Sequence, residues 1–214
     1  MNEAPESAWS EKYWEKRYSS GENSGAGSYG RLAEYKAAFL NHFMETNDVN
    51  TVLELGCGDG NQLTLLNPKN YIGYDVSQTI IAKCRESFSE HQNYEFYGPK
   101  EKSKLLKCDL AVSLDVIFHL VEDDVYESYI DDLFSNSDKY VIIYSSDIDY
   151  PWGYAHVRHR NFSRHVAKTK KEWSLKCVVK NPYPYDSADT ANTSFCDFYV
   201  FSREDRPCVV SCLS

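Results

Sequence analysis

The chain reads as an α/β domain, with a seven-stranded, mostly parallel sheet and helices on both faces. Three observations predict it. Short apolar runs alternate with helical patterns through most of the 214 residues, which is how strand–helix–strand units appear in a sequence. The first apolar run enters a loop holding Gly56, Gly58 and Gly60. About twenty residues later the second run ends on an acid, Asp75, the spacing of a nucleoside-binding α/β unit.

The elements follow in order. Residues 1–8 read as loose and 9–18 as a short aromatic and charged helix. Residues 19–30, with Gly21, Gly25, Gly27, Gly30 and several serines, read as a loop. Leu32, Tyr35, Lys36, Phe39, Leu40 and Phe43 recur at helical spacing and predict a helix over 30–46. Strands are expected at 51–55, 71–74, 94–97, 110–114, 140–144, 175–179 and 195–201. Helices are expected at 61–66, 77–89 with Ser77 as N-cap, 122–134 and 163–171. No internal repeat or long linker divides the chain, so 1–214 reads as one domain. It has N-terminal helices at 9–46, a core at 50–201 and a tail at 203–214.

Composition narrows the function. An apolar share of 42% suits a globular core. The net charge of −9 argues against broad binding to nucleic acid or an anionic membrane. No run approaches the roughly 18 apolar residues of a membrane span, and the polar first ten residues lack an apolar signal core. The seven cysteines are scattered without a CxxC pair, as expected of free thiols in a reducing compartment. Cys212, third from the end, misses the prenylation pattern. A cytoplasmic protein handling a small molecule is expected, and its oligomeric state is left open.

The run V-L-E-L-G-C-G-D-G at 52–60 carries the strongest signal. Alternating glycines let the backbone turn tightly and approach a ligand without Cβ atoms in the way. A nicotinamide dinucleotide site wants G-x-G-x-x-G, whereas the spacing here is G-x-G-x-G. Glu54, just before the turn, suits a cationic ligand such as S-adenosylmethionine better than a pyrophosphate. Asp75 can accept two ribose hydroxyls. These residues resemble the first two motifs of the class I S-adenosylmethionine-dependent methyltransferases, in order over 50–145 and more loosely beyond. That resemblance implies a Rossmann-like fold and S-adenosyl-L-methionine as cofactor, with Glu54, Gly56, Gly58 and Asp75 as contacts. It also places Asp115, in C-D-L-A-V-S-L-D-V-I-F-H-L, at the fourth motif. An acid often follows the third strand in the family. Here Gly98 and Pro99 stand there, so the adenine contacts stay open.

A lid and an acceptor site complete the expectation. Tyr13, Trp14, Tyr18 and Tyr29 flank the glycine and serine loop, and class I enzymes often close the cofactor site with N-terminal helices. Tyr13 and Tyr29 are therefore candidate cofactor contacts, with a plain connector as the alternative. His119, four residues past Asp115, has the near-neutral pKa of a general base and reads equally well as a structural histidine. The run H-V-R-H-R-N-F-S-R-H at 156–165 holds three arginines and three histidines and no acid. His156, Arg158 and Arg160 are candidate contacts to an anionic acceptor, since guanidinium forks match carboxylate and phosphate. His159 is a second candidate base. The alternatives for this run are a solvated face and a metal site that lacks obvious partners. The combined expectation is O-methylation of a small polar, anionic acceptor. The competing classes are a cofactor-binding relative without turnover and a dinucleotide enzyme.

Overall fold

The computed structural model describes residues 8–150, 154–204 and 206–210. Expectations for residues 1–7 and 211–214, Cys212 included, lie outside these. Two helices, α1 (Trp9–Ser19) and α2 (Gly30–Thr46), precede β1 (Thr51–Leu55). Next come β2 (Asn70–Tyr74), α3 (Gln78–Ser87), β3 (Tyr94–Tyr97), β4 (Cys108–Leu114), α4 (Asp123–Ser135) and β5 (Ser137–Ser145). The chain then forms α5 (Phe162–Thr169), β6 (Trp173–Val179) and β7 (Asp197–Arg203).

The seven strands form one sheet in the order β3-β2-β1-β4-β5-β7-β6. The first five run parallel, and β7 is antiparallel to both β5 and β6. Strand order reverses between β1 and β4, and open α/β sheets bind ligands beside such a switch point.

Side-chain alternation along the strands explains the two layers of helices. Val52, Leu110, Val112, Ile142, Phe198 and Val200 point to one face and pack with Phe39, Leu40 and Phe43 of α2 and Ile81 of α3. Their neighbours Leu53, Ala111, Val141, Ile143, Tyr199 and Phe201 point to the other face. There they meet Ile130, Leu133 and Phe134 of α4 and Phe162 and Val166 of α5. A period of two on each strand thus feeds two separate cores.

One element differs from expectation. In place of a helix at 61–66 there is a single 3-10 turn, Leu63–Leu65. The Thr64 hydroxyl donates to the Asn61 carbonyl, competing with helical continuation. Leu66 is already extended (ψ 153°), and Asn67 precedes Pro68, which disfavours the helical region. The last strand begins at Asp197, two residues after the expected start, and further 3-10 turns occupy Ala26–Ser28, Pro99–Lys104 and Ile117–His119. No helix among the described residues is long and apolar enough to cross a membrane.

Ser77 caps α3: its side chain, fully buried, accepts the Ile80 amide at 3.2 Å. Ser77→Ala is expected to cost about 1 kcal/mol, the usual worth of an N-cap. Urea unfolding should show a lower midpoint at unchanged slope. An unmoved midpoint would mean that the cap contributes nothing to the fold.

Candidate functional site

The site begins where β1 ends. Gly56 (φ 81°) and Gly58 (φ 56°) take left-handed backbone conformations, which favour glycine over residues with a Cβ. The turn aims amides back at the second strand: those of Gly56 and Cys57 donate to the Tyr74 carbonyl at 2.7 and 3.0 Å. The Gly58 amide donates to Asp75 Oδ2 at 3.0 Å, and the Ser77 amide donates to Asp75 Oδ1 at 2.9 Å. A Cβ on Gly58 would collide with the Ser24 hydroxyl of the N-terminal loop.

Two carboxylates are buried at this edge. Glu54 is 2% exposed and accepts the Tyr71 hydroxyl at 2.6 Å. Burial pushes its pKa up to about 7, against the Tyr71 hydrogen bond and the Lys36 ammonium. Burial likewise pushes Asp75 up to about 6, against the amides of Ser77 and Gly58. Asp115 follows β4 in a left-handed conformation (φ 60°) uncommon for a non-glycine residue. It accepts a 2.6 Å ion pair from Lys36 Nζ, whose side chain is 1% exposed.

A cavity of about 750 Å³, counting space that opens to solvent, lies over the carboxyl ends of β1, β2 and β4. That is within the usual range for small-molecule sites. Glu54, Gly56, Gly58, Asp75, Asp115 and His119 all line it, so one cavity gathers six of the sequence-predicted positions. Trp14, Tyr18, Lys36, Gln62 and Tyr129 line it as well and were not singled out from the sequence as site residues. Lys36 had a readable signal: a charge within the otherwise apolar stripe of α2. Tyr18 had a weaker one, four residues after Trp14 and so on the same helical face. Nothing in the local sequence marks Gln62 or Tyr129.

The N-terminal segment covers the cavity and is tied to the glycine loop through Asp59. Asp59 Oδ2 accepts both the Ser24 amide and the Tyr29 hydroxyl at 2.8 Å. The Asp59 amide donates back to Ser24 Oγ at 2.9 Å, and Asn61 donates to the Ser28 carbonyl at 2.6 Å. Tyr29 therefore sits on Asp59, outside the cavity lining. Tyr13 is also outside it, stacked between Trp9 and His156 with ring centroids 5.4 and 5.0 Å away. The outer end of α1 is fixed by Ser10, whose amide and hydroxyl donate to Glu122 at 3.0 and 2.8 Å.

The basic run takes another place than the sequence suggested. Arg158 donates to the Val121 carbonyl at 2.9 Å and pairs with Asp123 at 3.0 Å. Arg160 is 8% exposed, donates to the carbonyls of Leu120 and Val121, pairs with Asp123 at 3.1 Å and lies over the Tyr126 ring. Neither guanidinium lines the cavity. They fasten the segment after β4 to the segment after β5, because carbonyls and an acid at the start of α4 supply acceptors that a ligand would otherwise supply. His159 is buried against Phe195, with Nδ1 2.6 Å from the Ser146 hydroxyl, and is also off the cavity. His156 stands outside the lining as well, stacked between Tyr13 and His119.

His119 alone of these side chains faces the cavity. Its Nδ1–H donates to the His156 carbonyl at 2.9 Å, which leaves Nε2 as the acceptor nitrogen of a neutral ring. Burial pushes its pKa down to about 4, a shift opposed by that hydrogen bond. The Trp14 ring meets it edge-on at 5.0 Å.

Comparison with known proteins agrees with this geometry. A family model described as a methyltransferase domain matches residues 29–190. Among solved structures, the N-methyltransferase NodS from Bradyrhizobium japonicum WM9, in complex with S-adenosyl-L-homocysteine, superimposes with a TM-score of 0.70 at 15% identity. That match covers 92% of this chain and 99% of that one. Magnesium protoporphyrin IX methyltransferase from Synechocystis PCC 6803, with bound S-adenosylhomocysteine, gives 0.66 at 14% identity over 91% and 98%. The methyltransferase domain of bacterial CtHen1 gives 0.59 at 16% over 80% and 100%. With its glycine loop, its strand order and a family match over most of its length, the chain belongs to the class I S-adenosylmethionine-dependent methyltransferases.

Proposed function

We propose that the chain transfers the methyl group of S-adenosylmethionine to a hydroxyl of a small polar acceptor. The observation that carries this is the single cavity holding buried Glu54 and Asp75 beside a neutral His119. The residues present fit the cofactor. Two carboxylates with raised pKa values lack full compensation, and the Gln62 Oε1 atom is buried without a hydrogen-bond partner among the described residues. All three are acceptors awaiting donors. Glu54 would take the ammonium, Asp75 the ribose hydroxyls, and the glycines would leave room for the backbone approach. Bound there, S-adenosylmethionine supplies a methyl group made electrophilic by the adjacent sulfonium.

This chain's own contribution is then orientation, exclusion of water and handling of one proton. Trp14 and Tyr18 on the N-terminal cover help to close the cavity, and shielding from water strengthens every polar interaction inside it. His119 Nε2 is the group able to accept the hydroxyl proton of an acceptor, and its depressed pKa keeps it unprotonated at neutral pH. An anionic acceptor held by arginines is not part of this reading, since Arg158 and Arg160 are committed to carbonyls and to Asp123. Conversion of a metabolite extract with methyl-labelled S-adenosylmethionine tests the proposal. Label in a small-molecule methyl ether or ester supports it. Binding of S-adenosylhomocysteine without any labelled product would instead support a cofactor-binding relative without turnover, and label in added RNA would move the acceptor class.

Affinity should depend on pH with a defined sign. Carboxyls with pKa values near 7 and 6 hold protons that a ligand needing carboxylates must displace. Binding of S-adenosylhomocysteine should therefore tighten as pH rises from 5.5 to 8 and release protons, read by calorimetry in buffers of different ionisation enthalpy. Glu54→Gln should abolish the step near 7. Asp75→Asn should weaken binding by about 1.5–3 kcal/mol, the scale of charge-assisted hydrogen bonds. Affinity that is flat with pH would remove both groups from the site.

Replacing His119 with Gln should lower kcat by about a hundredfold or more, the usual contribution of a general base, with the KM for S-adenosylmethionine little changed. In the unaltered enzyme, with S-adenosylmethionine saturating at every pH, the acid limb of the kcat profile should fall near pH 4 and not near 6.5. A limb at 6.5 that survives the substitution would leave His119 a structural residue.

A further inference from the structure

Among the described residues, four charged side chains line the cavity: Lys36, Glu54, Asp75 and Asp115. Lys36 and Asp115 pair with each other at 2.6 Å, and the proposed function gives Glu54 and Asp75 to the cofactor. The neighbouring cations are engaged as well. Arg17, whose charge acts on His119, pairs with Glu22 at 3.3 Å and donates to the Asn23 carbonyl. Arg158 and Arg160 both hold Asp123. A methyl acceptor is therefore offered no charged partner. What it meets beside His119 is apolar and flat. Val116 and Leu120, which flank His119 in the chain, line the cavity, and Trp14 enters it from α1. The indole stands 5.0 Å from the His119 ring at an angle of 77°, so a molecule that reaches His119 from inside the cavity also meets Trp14. A broad aromatic face suits another ring.

We propose that the acceptor is a phenol: an uncharged aromatic ring lies against Trp14 and presents its hydroxyl to His119 Nε2, and the cavity rejects aliphatic alcohols and carboxylates. The inference rests on the proposed function, in which His119 takes the acceptor's proton. Base strength points the same way as the lining. A ring that is protonated only near pH 4 is a weak base, and it assists only a hydroxyl that is already acidic. Moving a proton to it from a phenol, with a pKa of about 10, is uphill by about six powers of ten. From an aliphatic hydroxyl, about as weak an acid as water at roughly 15.7, the same transfer is uphill by about twelve. A carboxylate needs no base but needs a cation, and none is left for it. In the transfer the phenol O–H bond breaks, its proton goes to Nε2, and the oxygen bonds the methyl carbon. The electron pair of the broken C–S bond stays on sulfur. The products are an aryl methyl ether, S-adenosylhomocysteine and a proton on His119. Trp14 is thus a binding residue for the acceptor and sets its class.

Methyl-labelled S-adenosylmethionine and a matched acceptor panel test this on the unaltered protein. The panel holds one- and two-ring phenols, the cyclohexanol counterpart of each, the corresponding aryl carboxylates and anilines, and a metabolite extract beside them. Label in aryl methyl ethers, with the saturated alcohols, acids and amines left unlabelled, is the expected result. Label in any of those three classes, or in the extract but in no phenol, overturns the inference while leaving the protein a methyltransferase. No label anywhere, with S-adenosylhomocysteine still bound, sinks the proposed function itself and this inference with it. For the best phenol, Trp14→Ala should raise KM about tenfold, the upper range for an aromatic pair. Affinity for S-adenosylhomocysteine should stay within about twofold, and Trp14→Phe should restore most of the KM. Equal losses of cofactor and phenol in Trp14→Ala, or an unchanged KM, would remove Trp14 from the acceptor and overturn the stacking arrangement. Should Trp14→Ala fail to fold, Trp14→Phe and the panel on the unaltered protein still decide.

Discussion

The hydrogen bond from the Gly58 amide to Asp75 joins the two halves of the site. It links the turn after β1 to the end of β2, and its geometry requires an amide pointing inward from a left-handed residue. Any side chain at that position would meet Ser24. The same atom contact that excludes a Cβ also brings the N-terminal loop within reach of Asp59. The glycine loop is therefore both the floor of the cavity and the attachment point of its cover.

That double use lets the N-terminal segment line the cavity with Trp14, Tyr18, Ser24 and Ser28. Tyr29 and Ser24 bind Asp59, and Ser10 binds Glu122 at the start of α4. Anchored at both ends, α1 can present Trp14 and Tyr18 inward. On the opposite side the residues of the basic run act as struts: Arg158 and Arg160 take the carbonyls of Leu120 and Val121, and His156 takes Nδ1–H of His119. Arg160 and His156 thus hold two residues that line the cavity, Leu120 and His119.

The fold was legible because it depends on local patterns. Period-two apolar runs, helical spacing and the Ser77 cap are written within ten or so residues, and each produced its element. The 61–66 segment was misread because its apolar content suits a helix while Asn67-Pro68 forbids continuation. The glycine-loop edge of the cavity was legible for the same reason, since Glu54, Gly58 and Asp75 belong to a contiguous motif and its spacing. The packing of the basic run was not. Whether Arg160 meets a ligand or the Leu120 carbonyl depends on two loops that are 40 residues apart in the chain, and no periodicity encodes that. Lys36 lies between these cases: the sequence displayed it on an apolar stripe, but only the folded structure shows that it lines the cavity.

The ionisable groups of the cavity also give the protein a reason to bind a ligand. A carboxyl whose folded pKa is raised, as for Glu54, subtracts stability as pH climbs from its unfolded value near 4.5 to about 7, because the native state keeps a proton that the unfolded chain has released. Asp75 does the same over a lower window, up to about 6. His119, with its pKa pushed down to about 4, subtracts stability as pH falls below its unfolded value near 6.5. Between about pH 4 and 7 the carboxyls thus subtract stability as pH rises and His119 subtracts it as pH falls. On the proposed function, these are the residues that a cation, two hydroxyls and a proton donor would meet. A ligand that supplies those groups removes the cost of burial as it binds. On this view the fold tolerates Glu54 and Asp75 at the ends of β1 and β2 because their desolvation is offset in the complex and not in the free protein.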